Sequence, residues 1–393
     1  MRELSLYHKI AFTVLCIGAF TNTFLLVEPL MFVRLGVLLV LAGVLFTERV
    51  RLDSVFYAVC FFFFTYITFT LLLTVAYGRG VTFSDTVNFL FILPLIIALL
   101  WIFCSAPEES LRLFYWICCI FLGVSFIMAI EEMAIGWHLP MSNMRLPEKI
   151  MVLAENNQNY PTVFFNNKND FAVVIALTFC YIMAYRIHFM PNRRKWVFVI
   201  YLTLCMSILC MVQCRTAFVA VAIFLLFTQR KQLLKYKVLF TFIGVIFLVG
   251  VVILFCVFHF GSTSIRTNLY LYSFVSMFES YCMGFGLKGN LFYYAQWDNY
   301  ELFGNITDTH SYLLHFILTS GVVVFIGYIA LLVYLMRKIA TKHGRNEFWI
   351  MIPLYVLLLF APSGANCLWI HYLFFSSFVG YACSQPAMCE QKI

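Results

Sequence analysis

Charge is what this chain has least of. Only 11% of its 393 residues are Asp, Glu, Lys or Arg, against roughly 25% in a soluble globular protein, which needs charge to cover a hydrated surface. That scarcity excludes a separate soluble domain. No Cys-x-x-C pair occurs among the 14 cysteines, and nearly all of them sit in apolar runs. Cysteine there behaves as a small hydrophobe, and neither a zinc site nor a disulfide framework is supported. There is no Asp-x-Asp, no His/Cys ligand cluster, no nucleotide-binding loop, no internal repeat and no low-complexity linker. The first two absences point to chemistry without a metal or other cofactor.

What is present in excess is apolar surface. Hydrophobic residues make up 63% of the chain, and the mean hydropathy is +0.92. Runs of about 20 apolar residues, long enough to cross a roughly 30 Å hydrocarbon layer as helices, recur from end to end. The expected fold class is all-α: a polytopic membrane protein of about twelve transmembrane helices in a single domain, residues 1–393. The expected spans are 10–27, 30–46, 54–75, 87–104, 113–130, 170–187, 196–213, 216–229, 238–258, 311–336, 347–362 and 367–382. The first is preceded by a basic stretch that mimics a signal peptide, but no small-residue cleavage site follows, so it reads as a retained span.

The net charge of +8 does not indicate nucleic acid; the connections account for it. Alternate connections carry Arg49 and Arg51; Arg112; Arg186, Arg193, Arg194 and Lys195; Arg230, Lys231, Lys235 and Lys237; and Arg337, Lys338, Lys342 and Arg345. With the termini, 18 of the 26 basic residues fall on one side. Cytoplasmic loops are enriched in Lys and Arg, so both termini are expected in the cytoplasm. Two long connections, 131–169 and 259–309, then fall on the extracytoplasmic side, and loops of that length are functional or disordered. The second is too rich in aromatics for disorder. Its start, Ser264 to Met277, has apolar residues at helical spacing and reads as partly helical, along the membrane surface.

Few basic residues remain on the outer side, so each stands out. Arg215 lies between two apolar spans, where it is either a snorkelling turn residue or a guanidinium holding an anion in an outward cavity. Arg266 and Lys288, the latter within Gly284-Phe285-Gly286-Leu287-Lys288-Gly289, add cations suited to phosphate oxygens. His310, in Asp308-Thr309-His310-Ser311, is a candidate general base with Asp308 near enough in sequence to orient it; the alternative is a histidine satisfied at a helix start. His315 and His371 lie deeper in spans and read as structural. Glu131, Glu132 and His138 read as solvated loop residues. Asn166-Asn167-Lys168-Asn169-Asp170 either caps a helix, with Asn169 or Asp170 as N-cap, or lines the cavity.

Taken together these positions resemble the O-antigen ligase and O-antigen polymerase superfamily of membrane glycosyltransferases. His310-Ser311, nine residues, then Gly321 is similar to the His-[Asn/Ser/Gln]-x9-Gly signature of the ligases. Arg215-Thr216 resembles the family's arginine at an outer helix end, and Arg266 followed by Gly284-Phe285-Gly286 its second arginine ahead of a G-x-G turn. Phe164 to Ala172 is similar to the Asn-rich helix entry of these proteins, including teichuronic acid polymerases. The ligase signature continues with a second glycine three residues on, where this chain has Val324; that favours a polymerase.

The resemblance implies a donor oligosaccharide linked through diphosphate to a polyprenol, and an acceptor that is a second glycan, a lipid A core or a protein. In that scheme Arg215 and Arg266 neutralise the leaving diphosphate, His310 takes the acceptor proton, and Asn169, Lys288, Ser311 and Asp308 bind substrate. It also implies residence in the bacterial cytoplasmic membrane with the site outside. A transporter such as a polysaccharide flippase is the rival class.

Overall fold

A computed structural model describes residues 3–21, 29–47, 52–77, 81–136, 160–165, 168–190, 195–230, 270–288 (without 272 and 276), 311–360 and 368–385. Among these residues the chain is all-helical, with no strand. Twelve helices are present: α1 (Leu6–Phe20), α2 (Pro29–Leu45), α3 (Ser54–Tyr77), α4 (Phe83–Leu90), α5 (Ile92–Ser105), α6 (Pro107–Ile135), α7 (Lys168–Phe189), α8 (Lys195–Val212), α9 (Arg215–Thr228), α10 (Tyr312–His343), α11 (Glu347–Leu358) and α12 (Leu368–Cys383). Every expected apolar segment except the ninth coincides with a helix, α4 and α5 forming one; the ninth, 238–258, lies outside the described residues. Five helical stretches are long and apolar enough to cross a membrane: Ser54–Tyr77, Phe83–Ser105, Pro107–Ile135, Lys168–Phe189 and Tyr312–His343.

Local signals set the helix ends. Ser5 caps α1 by accepting from the His8 N–H, and Thr82 and Asp85 close a reciprocal capping box on α4. Pro107 opens α6 at a position that has no backbone hydrogen bond to lose, and Gly136, at φ 71°, ends it. Asn346 caps α11 through the N–H groups of Phe348 and Trp349. Helix starts at Lys168, so neither Asn169 nor Asp170 is the N-cap of α7; both lie in its first turn.

The helices pack in both senses: α6 and α7 run antiparallel, whereas α5 and α12 finish at the same end, with Cys104 and Cys383 Sγ atoms 3.8 Å apart. At the tightest pair, α1 against α2, a Cβ on Gly36 would lie 2.6 Å from Leu15 Cα, the close backbone approach that small residues give helices in lipid. Large apolar side chains point outward from the bundle, among them Phe61, Leu72, Val75, Ile120 and Val323. A water-facing protein would bury them; a lipid-facing one has no reason to.

Polar contacts gather the helix ends into two layers. In one, Lys9 pairs with Glu109 at 2.6 Å and Lys338 with Asp53 at 2.6 Å, while Arg230 donates to the Arg345 carbonyl at 2.7 Å. His188, His343 and Asn346 surround Tyr381 in the same layer. This is the basic end, and it joins the starts of α1, α3, α6 and α11 to the ends of α7, α9, α10 and α12. The opposite end holds the finish of α3 and α6 and the start of α4 and α7.

The tenth expected span is not one straight helix. At Gly321 the backbone of α10 leaves the helical region, with φ 81° and ψ 168°, a combination open essentially to glycine alone. The half beyond the break, up to His343, rises about 33 Å from the basic end at 1.5 Å per residue. The half before it does not continue outward. Phe316 stacks on Tyr66, ring centroids 4.8 Å apart, and Tyr312 stacks on His371 at 5.5 Å. Tyr66 lies twelve residues into α3, and His371 twelve before the end of α12, so both stand about 18 Å above the basic end. The first half of α10 is therefore folded back into the bundle, and Tyr312, Leu313, Leu314, Phe316 and Leu318 are all buried.

Candidate functional site

The break in α10 strands backbone groups, and the Gly-rich turn takes them up. Phe285 N–H donates to the Leu318 carbonyl at 2.7 Å and Gly286 N–H to the Thr319 carbonyl at 3.0 Å, while Val322 N–H donates to the Cys282 carbonyl at 2.9 Å. Buried backbone groups must be paired when no water is at hand, and broken helices persist in membranes only on such terms. The fit leaves no room for side chains. A Cβ on Gly284 would stand 2.6 Å from Gly321 N, one on Gly286 2.6 Å from Thr74 N, and one on Gly321 would collide with the Met283 carbonyl. The G-x-G turn and Gly321, more than thirty residues apart in sequence, thus form one interlocked unit against α3.

Lys288, at the end of this turn, pairs with Asp85 at 2.6 Å, and Asp85 is also the capping residue of α4. Its ammonium therefore ties the turn to α4 and is not an unmatched cation. The described part of the second long connection, 270–288, begins beside α11, where the Tyr270 hydroxyl donates to the Phe360 carbonyl at 3.3 Å. Its helical stretch turns Leu271, Phe274, Val275 and Phe278 outward and buries Ser273 and Ser280. This inverted amphipathic pattern suits a segment that covers the broken helix and faces lipid.

Three helix ends meet at one level within the bundle. α9 spans 14 residues and α11 spans 12 from the basic end, rises of about 21 Å and 18 Å. The first half of α10 begins at the same level, where Tyr312 N–H donates to the Leu359 carbonyl at 3.0 Å. Arg215, the first residue of α9, and Ser311, the N-cap of α10, therefore occupy one layer. Ser311 is buried, and its hydroxyl accepts from the Leu314 N–H at 3.4 Å. His310, Asp308 and Arg266 lie outside the described residues.

A hydroxyl-rich core borders this layer. Tyr328 and Tyr355 hydroxyls approach to 3.1 Å, and Thr70 donates to Ser320 at 3.1 Å. His371 packs between Tyr312 and Tyr355, the latter edge-on at 5.9 Å.

Above it, the Asn-rich entry of α7 is joined to the Arg215 turn. Lys168 Nζ sits 3.4 Å over the Tyr160 ring, and the Tyr160 hydroxyl donates to Gln213 Oε1 at 3.2 Å. Gln213, at φ 57°, is two residues from Arg215. Asn169, half-buried in the same first turn as Lys168, lies beside this chain of contacts. The sequence singled out the α7 entry and the Arg215 turn separately; the fold links them through Lys168, Tyr160 and Gln213.

Two residues differ from their sequence reading. Glu132 is not a solvated loop residue: it lies in the last turn of α6, is buried, and its Oε2 accepts from Thr162 N–H at 2.8 Å and Val163 N–H at 3.1 Å. A carboxylate that accepts two backbone N–H groups is held firmly; here it pins the turn ahead of α7, with Val163 at φ 52°. Glu131, its neighbour, is exposed, and His138 lies outside the described residues. Arg34, which the sequence reading passed over as part of a span, sits one turn into α2 and donates to Asn88 Oδ1 at 2.6 Å. A lone arginine in an apolar helix was the available signal, since such charge is costly in lipid. No protein-family model matches the chain, and no curated protein matches it by sequence.

Proposed function

We infer that the chain is a membrane glycosyltransferase of surface polysaccharide assembly, a polymerase that moves a polyprenyl-diphosphate-linked glycan onto an acceptor hydroxyl. What supports this reading is that Arg215 and the buried start of α10 at Ser311 stand at one level, that Lys168 reaches Gln213, two residues before Arg215, through Tyr160, and that the G-x-G turn is locked onto Gly321. In this reading the basic end faces the cytoplasm of a bacterial cell, all twelve apolar segments span its inner membrane, and both termini are cytoplasmic.

The chemistry asked of the chain is modest. The bond from the anomeric carbon to the diphosphate oxygen breaks with its electron pair on oxygen, and an acceptor oxygen forms the new bond. Arg215 and Arg266 stabilise the charge gathering on the diphosphate, and His310 receives the acceptor's proton. Asn169, Ser311 and Asp308 bind substrate; Lys288 does so only if it leaves Asp85. A ligase, delivering the glycan to lipid A core or protein, would use the same steps with another acceptor.

One observation favours a second reading, transport. A helix broken at Gly321 beside a hairpin of short helices, α11 and α12, is the construction of carriers that bind cargo between half-helices. The deciding experiment is the length of surface polysaccharide on gels, in a deletion strain complemented with wild type, His310→Ala or Arg215→Ala. The polymerase reading expects single repeat units from both variants at normal protein abundance. Long glycan stranded on the polyprenol indicates a ligase; normal ladders from both variants refute glycosyl transfer and leave transport.

A further inference from the structure

His371 has no role in the reading above, and packing does not explain it. His371 is 1% exposed, and neither ring nitrogen has a hydrogen-bond partner among the described residues. Each buried polar atom left unpaired is destabilising, whereas an apolar group of the same shape carries no such penalty. A phenyl ring would stack on Tyr312 and meet Tyr355 equally well. The imidazole also stands beside the folded-back start of α10: Tyr312 directly follows Ser311, and its N–H is held by the end of α11. Two aromatic rings around one unpaired polar group are the kinds of group that line ligand sites, aromatic faces for an apolar surface and a few polar atoms for orientation.

We propose that His371 is a substrate-binding residue, its imidazole the hydrogen-bond partner of a sugar hydroxyl carried into this layer. A neutral imidazole offers one acceptor and one donor, enough to hold a hydroxyl in a defined direction while the rings of Tyr312 and Tyr355 pack on the sugar's C–H face. Both nitrogens are sealed in this structure, so a sugar reaches them only after the Phe285 and Gly286 N–H groups release the Leu318 and Thr319 carbonyls and the first half of α10 swings about Gly321, whose backbone already lies outside the helical region. The proposal rests on the glycosyl-transfer reading.

The test compares His371→Phe with His371→Gln in the complemented deletion strain, alongside His310→Ala and Arg215→Ala. Each variant is scored for membrane abundance, melting in detergent and the polysaccharide ladder. A packing role predicts that Phe equals wild type in the ladder and that Gln, polar and misshapen, is worse. The proposal predicts the reverse order: Phe accumulates and melts at or above wild type yet loses polymer about tenfold or more, while Gln, with a donor and an acceptor, keeps more of it. A wild-type ladder from Phe, or a Phe variant that fails to accumulate, overturns the role of His371 while the alanine variants still report on glycosyl transfer. Normal ladders from both alanine variants overturn that reading, and the role of His371 with it.

Discussion

Substituting Gly321 by Ala tests the interlocked turn most directly. The residue sits at φ 81° and ψ 168°, where a side chain adds about 1–3 kcal/mol of backbone strain. Its new Cβ would collide with the Met283 carbonyl, so the turn must lift. Lifting it breaks three backbone hydrogen bonds, Phe285 to Leu318, Gly286 to Thr319 and Val322 to Cys282, each worth about 0.5–1.5 kcal/mol net. Strain and lost bonds together come to about 3–7 kcal/mol. At about 2–4 °C per kcal/mol for a chain of a few hundred residues, the apparent melting temperature falls by roughly 6–28 °C. Gly123→Ala, in the middle of α6, is the control, because an added Cβ there meets nothing within 4 Å. The assay is loss of monodisperse protein on heating in detergent at one fixed scan rate, since unfolding of such proteins is irreversible. Gly321→Ala melting within about 2 °C of wild type would refute the interlock.

Glu132→Ala leaves the Thr162 and Val163 N–H groups buried and unpaired, at about 1–3 kcal/mol each; Glu132→Gln, which keeps an acceptor, should recover much of the loss in the same melting assay. Burial alone would raise the Asp53 carboxyl, but the Lys338 ammonium, the Val55 N–H and the Ser54 hydroxyl overrule it and bring the group to about 2. Because this lies below the unfolded value near 3.9, the pair's stabilisation is complete above about pH 4 and disappears as pH falls from about 4 to 2. Unfolding rates across that interval should steepen for wild type and flatten for Asp53→Asn, and identical profiles would sink the claim. Exchanging Asp85 and Lys288, as Asp85→Lys with Lys288→Asp, should restore most of the stability lost in either single variant. Lys288→Asp alone behaving as wild type would show that the ion pair does not hold the turn.

Sequence alone determined the class of molecule. Apolar runs without charge have no other stable home than a helix in lipid, and all of them that are described are helical, down to ends marked by Ser5, Thr82, Pro107 and Gly136. The placement of basic residues likewise assigned Lys9, Arg112, Lys338 and Arg345 to one end, and their ion pairs and hydrogen bonds gather there. What hydropathy cannot register is a helix that stays apolar while its backbone turns back. Residues 311–336 read as one apolar span, and only the Gly321 backbone and the docking of residues 282–286 against it show a break. Burial of Glu132 was equally hidden, since its partners are backbone N–H groups thirty residues away. His371 lies in an unbroken apolar run, and its unpaired nitrogens become a fact only once Tyr312 and Tyr355 have closed around it. Periodicity and charge depend on near neighbours in sequence; hydrogen-bond satisfaction depends on what the fold brings alongside, and that is a property of the tertiary structure.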